Sequence, residues 1–89
     1  MKYVYIGVYM ITIKVKYFAS LRDTTNTSEE VFKTDAITID NLHTQLNDKY
    51  HFPIDRRYLR VSQNGQYVEG HAKLQNNDTI MLIPPLSGG

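Results

Sequence analysis

Hydrophobic and polar residues alternate from Ile11 to Phe18. Ile11, Ile13, Val15 and Tyr17 fall on one face, and Thr12, Lys14, Lys16 and Phe18 on the other. Alternation with β-branched residues predicts a half-buried strand whose odd face is core. Phe18 is then an apolar side chain on a face otherwise held by lysines. Leu21 to Ser28 is polar and reads as a loop, and Glu30-Val31-Phe32-Lys33 reads as a short strand hairpinned back onto the first. Thr38 to Tyr50 changes period. Ile39, Leu42, Leu46 and Tyr50 lie at i, i+3, i+7 and i+11, one stripe of a helix. Thr38 is suited to N-cap this helix, with Ile37 and Leu42 at the two ends of a hydrophobic staple. Asp40 falls in its first turn, where a negative charge suits the helix dipole.

Shorter periods follow. Leu59-Arg60-Val61 predicts a strand, Asn64-Gly65 a two-residue hairpin turn, and Tyr67-Val68 the return arm, ended by Gly70. Asn76-Asn77-Asp78 reads as a turn in which Asn takes a left-handed backbone. Thr79 to Ile83 is the last strand, with Ile80 and Leu82 facing the core and Met81 and Ile83 facing away. Pro84-Pro85 cannot donate further ladder hydrogen bonds and ends it. The order is β-β-α-β-β-β: an α+β domain, with one main helix packed on one face of a sheet of four to five strands. The expected organisation is an extension over residues 1–9, a domain over 10–83 and an extended tail over 84–89.

Composition narrows the function classes. At 89 residues there is room for one small domain. Ten Lys and Arg balance nine Asp and Glu, which disfavours a dedicated nucleic-acid or acidic-membrane binder. The absence of Cys excludes disulfides, thiol nucleophiles and thiolate metal sites. His43, His51 and His71 match no metal-ligand spacing, so no metal is expected and surface or cap positions are expected for all three. The serines have no nucleophile-elbow context, and no Gly-rich loop precedes a helix. Arg56, Arg57 and Arg60 cluster around Tyr58; given the balanced charge they read as a solvated face rather than an RNA site. Tyr3 to Ile13 is apolar but far short of the roughly 20 residues that span a bilayer. It has the length of a signal-peptide core, but no small-residue cleavage site follows, so the expected location is the cytoplasm.

The informative segment is Ile83-Pro84-Pro85-Leu86-Ser87-Gly88-Gly89. Pro-Pro favours an extended conformation and holds the Gly pair away from the last strand. Four residues beyond Pro85 reach at most ~14 Å, enough to enter another protein's active site. Gly88-Gly89 has no Cβ to obstruct a narrow channel. The group that would react is the carboxylate of Gly89.

This ending, together with Val15-Lys16-Tyr17-Phe18-Ala19-Ser20-Leu21-Arg22-Asp23 and Asn77-Asp78-Thr79-Ile80, resembles the small, sulfur-carrier subunit of molybdopterin synthase, a ubiquitin-like β-grasp protein. The resemblance covers residues 10–89. Residues 1–9 have no counterpart, and Asn77 stands where that family often has Gly. The resemblance implies a mixed sheet and no bound cofactor. It further implies that a ubiquitin-activating-like adenylyltransferase uses ATP to adenylate the Gly89 carboxylate. A sulfur donor then makes the thiocarboxylate, and the large synthase subunit, in a heterotetramer, uses that sulfur to build molybdopterin from cyclic pyranopterin monophosphate. The chain would supply the tail and a docking surface and would not be an enzyme alone. Phe18, Met81 and Ile83 by parity, and Tyr67 by motif position, are the expected partner contacts. A protein modifier joined through Gly89, a thiamine-pathway sulfur carrier, and a non-covalent module or weak RNA binder using Arg56, Arg57 and Arg60 are the alternatives.

Overall fold

A computed structural model describes residues 9–85. The first strand, β1, spans Ile11–Tyr17, and Ile13, Val15 and Tyr17 are almost wholly buried, as their alternation requires. β2 spans Glu29–Thr34 and pairs antiparallel with β1, Ile13 opposite Phe32 and Lys16 opposite Glu29. The polar segment between them is not a plain loop. Ser20–Thr25 forms a short helix, α1, ended by Asn26 in the left-handed region at φ 60°. Leu21 alone anchors it in the core. Six residues with one buried side chain give no periodicity to read, which is why the sequence reads as loop.

The main helix, α2, spans Ile39–Tyr50. Thr38 caps it through a reciprocal box: its hydroxyl accepts from the Asn41 N–H, and the Asn41 side chain accepts from the Thr38 N–H. The expected staple is not made. Leu42 is fully buried, but Ile37 is 62% exposed, so the box fixes the entry of the chain instead. Ile39, Leu42 and Leu46 pack on the inner sheet face. Burial of each such side chain contributes roughly 1.5–3 kcal/mol.

A 3-10 turn at Arg56–Tyr58 leads into β3 at Arg60–Gln63. Asn64 at φ 52° and Gly65 at φ 89° make the hairpin turn to β4 at Gln66–Tyr67. Asn77, at φ 70°, supplies the left-handed residue before β5 at Thr79–Ile83. The sheet order is β2-β1-β5-β3-β4, with β5 parallel to β1 and antiparallel to β3. The chain thus has the expected mixed sheet, with five strands and one main helix on one face. No helix among the described residues is long and apolar enough to cross a membrane.

Two buried polar groups depart from expectation. Asp78, read as a turn residue, is buried and accepts from Gln63 Nε2, Asn64 Nδ2 and the Gln75 N–H at 2.8, 2.8 and 2.7 Å. Burial pushes its carboxyl up, but the donors from Asn64, Gln63 and Gln75 outweigh that and hold it below its ordinary value. His43 is 8% exposed, not a surface or cap residue, and its Nε2 has no hydrogen-bond partner among the described residues. His51 does cap α2, in the left-handed region, and His71 is exposed.

Candidate docking face and tail root

The face of the sheet opposite α2 carries the residues singled out by parity. Register places them in rows. Glu29, Lys16, Met81, Ser62 and Tyr67 form one row from β2 to β4. Val31, Lys14 and Thr79 form a second, and Ile83 sits beside Arg60 in a third. Met81 and Ile83 are half-buried, and Tyr67 is 61% exposed. Three of the four expected contact residues therefore share one surface.

Phe18 is the exception in its origin. β1 ends at Tyr17, so strand parity does not orient the next side chain. The Phe18 carbonyl accepts from the Leu21 N–H at 3.0 Å, and Ala19 turns the backbone into positive φ at 50°. Phe18 is half-buried at the strand-to-helix corner rather than one more step along the lysine face.

Arg60 belongs to the face, although in sequence it clusters with Arg56 and Arg57. The structure separates the three. Arg56 turns toward α2, its Nε 3.0 Å from Asp40 Oδ1 and its guanidinium donating to the Leu59 carbonyl at 3.2 Å. Arg57 pairs with Asp55 at 3.6 Å and lies over the Tyr58 ring. Arg60 instead stands beside Ile83, its guanidinium carbon 4.2 Å from the Tyr67 ring centroid, a cation–π contact. The signal was available in the alternation Leu59 in, Arg60 out, Val61 in. A cleft of about 690 Å³ opens beside this pair; Asp55, Arg57, Leu59, Val61, Val68 and Glu69 line it.

β5 lies third of five in the sheet, paired on both sides, so the chain leaves through Pro84 from the middle of the fold. Pro84 is buried and Pro85 exposed. Leu86, Ser87, Gly88 and Gly89 lie outside the described residues, as do all but Tyr9 of the expected N-terminal extension. Among the described residues no cluster of His, Asp or Glu has the geometry of a metal site.

Comparison with known proteins fits this architecture. The ThiS family model matches residues 15–89. A putative molybdopterin converting factor subunit 1 from Pyrococcus furiosus superposes with a TM-score of 0.74 at 23% identity, covering 85% of this chain and 99% of its own. The small archaeal modifier protein 1 of Methanosarcina acetivorans does so at 0.71 and 27% identity, covering 91% and 99%. A protein–protein complex of subunits 1 and 2 of the molybdopterin-converting factor from Helicobacter pylori matches at 0.62 and 22% identity, covering 89% and 100%. With most of its length matched and a mixed five-stranded sheet clasping one helix, the chain belongs to the ThiS family and has the ubiquitin-like β-grasp fold of its sulfur carriers.

Proposed function

We propose that this chain carries sulfur for molybdenum cofactor biosynthesis. The Gly89 carboxylate attacks the α-phosphate of ATP on an activating adenylyltransferase, and pyrophosphate leaves. The resulting acyl-adenylate has a good leaving group, which a bare carboxylate lacks. Sulfide-level sulfur from a donor attacks the acyl carbon, the bond to AMP breaks, and a thiocarboxylate remains. The large synthase subunit receives the tail and transfers its sulfur to cyclic pyranopterin monophosphate, the acyl C–S bond breaking as water restores the Gly89 carboxylate. In this reading Pro84, Pro85, Leu86, Ser87 and Gly88 form the lead to the reacting group, and Tyr67, Met81, Ile83 and Phe18 meet the partner. The chain is a non-catalytic subunit, because the adenylating and transferring groups belong to the partners.

The observation that carries the reading is the sequence Pro84-Pro85-Leu86-Ser87-Gly88-Gly89 issuing from the central strand of a ThiS-family β-grasp domain. The likeness to a molybdopterin converting factor subunit supports the finer assignment. A second reading, a protein modifier linked to substrate lysines through Gly89, draws support from the likeness to the Methanosarcina modifier protein. Intact mass of the protein purified from its native host separates them. One oxygen replaced by one sulfur, with molybdopterin synthesis lost when the gene is deleted, supports the carrier. A ladder of isopeptide conjugates with molybdopterin synthesis intact overturns it.

A further inference from the structure

The charges of this chain are not evenly spread. Among the described residues the open sheet face holds Lys14, Lys16, Lys33 and Arg60 against Glu29, and Glu69, just after β4, lines the cleft beside Arg60 and Tyr67. The other described residues hold five cations and seven carboxylates, so the face carries the cationic excess and the remainder is anionic. Among the described residues Glu29 pairs with Lys14 alone, at 3.5 Å, and both side chains are nearly half exposed, so this pair is weak. Lys16 and Arg60 have no carboxylate within salt-bridge distance among the described residues. They flank the apolar centre, Lys16 in register with Met81 and Arg60 with Ile83. Tyr67 holds the Arg60 guanidinium over its ring. A planar cation held there loses less rotamer freedom when it meets a carboxylate.

We propose that this face docks an acidic surface of the protein that accepts the tail, with Met81, Ile83 and Tyr67 as the apolar centre and Lys16 and Arg60 as the charged rim. This rests on the sulfur-carrier reading for the identity of the partner but not for the chemistry of the surface. A cationic rim round an apolar centre speeds encounter by steering, and the apolar contacts slow release. Clustered cations on the face from which the tail's parent strand emerges would orient the approach of the partner before the tail is engaged.

Association of the full chain with the large synthase subunit of the same host is measured by stopped flow from low to high ionic strength. The association rate is expected to fall about tenfold or more with salt. The pair Lys16→Glu and Arg60→Glu is expected to slow association ~10–100-fold, with dissociation changed by less than about threefold. Thermal melts verify folding of each variant, and Arg60→Gln gives a milder loss of charge should the reversal disturb β3. In parallel, a poly-glutamate peptide is titrated into isotopically labelled protein. Salt-sensitive amide shifts at Lys16, Arg60, Tyr67 and Met81 support the proposal. Salt-independent association, shifts confined to Arg56 and Arg57, or tighter binding of a uridine oligomer to the same amides overturns it. The peptide shifts and the native mass are independent readouts. Shifts on this face without a thiocarboxylate overturn the carrier reading alone, and a thiocarboxylate without them overturns the acidic-partner surface alone.

Discussion

His43 shows how one buried side chain couples the fold to pH. It sits on α2 beside the Phe52 ring, centroids 6.1 Å apart, with Nε2 unpartnered. Burial lowers its pKa, the Arg56 guanidinium lowers it further, and Asp40 and Asp55 only partly oppose them. The folded protein therefore binds a proton less readily than the unfolded chain, whose histidines titrate near pH ~6.5. Stability from neutral His43 is fully present above that value and is lost as pH falls through the lower folded value. The unfolding free energy is thus expected to fall on acidification below pH ~6.5 by at most ~1.4 kcal/mol per pH unit, and the melting temperature with it. His43→Leu, similar in size and uncharged, should melt at nearly the same temperature at neutral pH and lose most of that slope. Thermal melts over a pH series check it; an unchanged slope would assign the acid sensitivity to another group.

The elements most legible in the sequence are those whose pattern repeats or whose backbone demands a special residue. β1 and α2 announce themselves through periods of two and 3.6, because each presents one face to a single core. Asn64-Gly65 does so because both residues hold positive φ, at 52° and 89°. What was illegible is local or reciprocal. α1 buries only Leu21, and the Thr38 box depends on an Asn41 side chain whose role no hydrophobic pattern reveals. Likewise the hydrogen-bond hub joining the β3–β4 turn to β5 is invisible until both ends meet. There Asn64 Nδ2 donates to Asp78, Asn64 Oδ1 accepts from the Thr79 N–H at 2.8 Å, and the Asn64 N–H donates to the Thr79 carbonyl at 2.9 Å. This separates two contributions of Asn64. Asn64→Gly keeps the left-handed backbone and loses the side-chain bonds, with an expected cost of about 1–2 kcal/mol. Asn64→Ala loses the same bonds but keeps a Cβ in the left-handed region without the polar side chain that lets Asn tolerate it, and should cost about 1 kcal/mol more than Asn64→Gly. Urea unfolding of the two variants tests the order, and equal destabilisation would show that backbone strain plays no part. The Asp78 side of this hub has its own pH sign: its depressed carboxyl stabilises the fold above the unfolded value of about 3.9 and ceases to as pH falls through the folded value.

At the scale of the molecule, the proposed function predicts that stability and activity separate. Among the described residues the buried core runs from Ile13 to Leu82, and a terminal glycine carries no side chain to add to it. Deletion of Gly89 is accordingly expected to abolish sulfur transfer and leave the melting temperature unchanged, measured by synthase reconstitution and thermal melts; a truncated chain that still transferred sulfur would overturn the role of Gly89. The same separation applies across the sheet, because alternation sends neighbouring residues of β5 to opposite faces. Ile80 and Leu82 are buried against α2, whereas Met81 and Ile83 are half-exposed on the other side. That parity was readable from the sequence. The union of Met81, Ile83, Arg60 and Tyr67 was not, since it depends on the sheet order β1-β5-β3-β4, which brings strands far apart in sequence into one row. If this face docks the partner, Ile83→Ala and Tyr67→Ala should each weaken binding to the large subunit by ~1–3 kcal/mol, the range of interface hot spots. Tyr67→Ala should scarcely change stability, because its ring is largely in solvent. Ile83→Ala should cost under about 1.5 kcal/mol, since only part of the side chain is buried. Leu82→Ala, one residue away on the core face, should do the reverse, losing about 2–5 kcal/mol of stability while folded protein binds with nearly native affinity. Titration calorimetry against the large subunit, paired with unfolding curves for all three variants, reads both quantities. Wild-type affinity in both Tyr67→Ala and Ile83→Ala would move the docking surface to another face of the molecule.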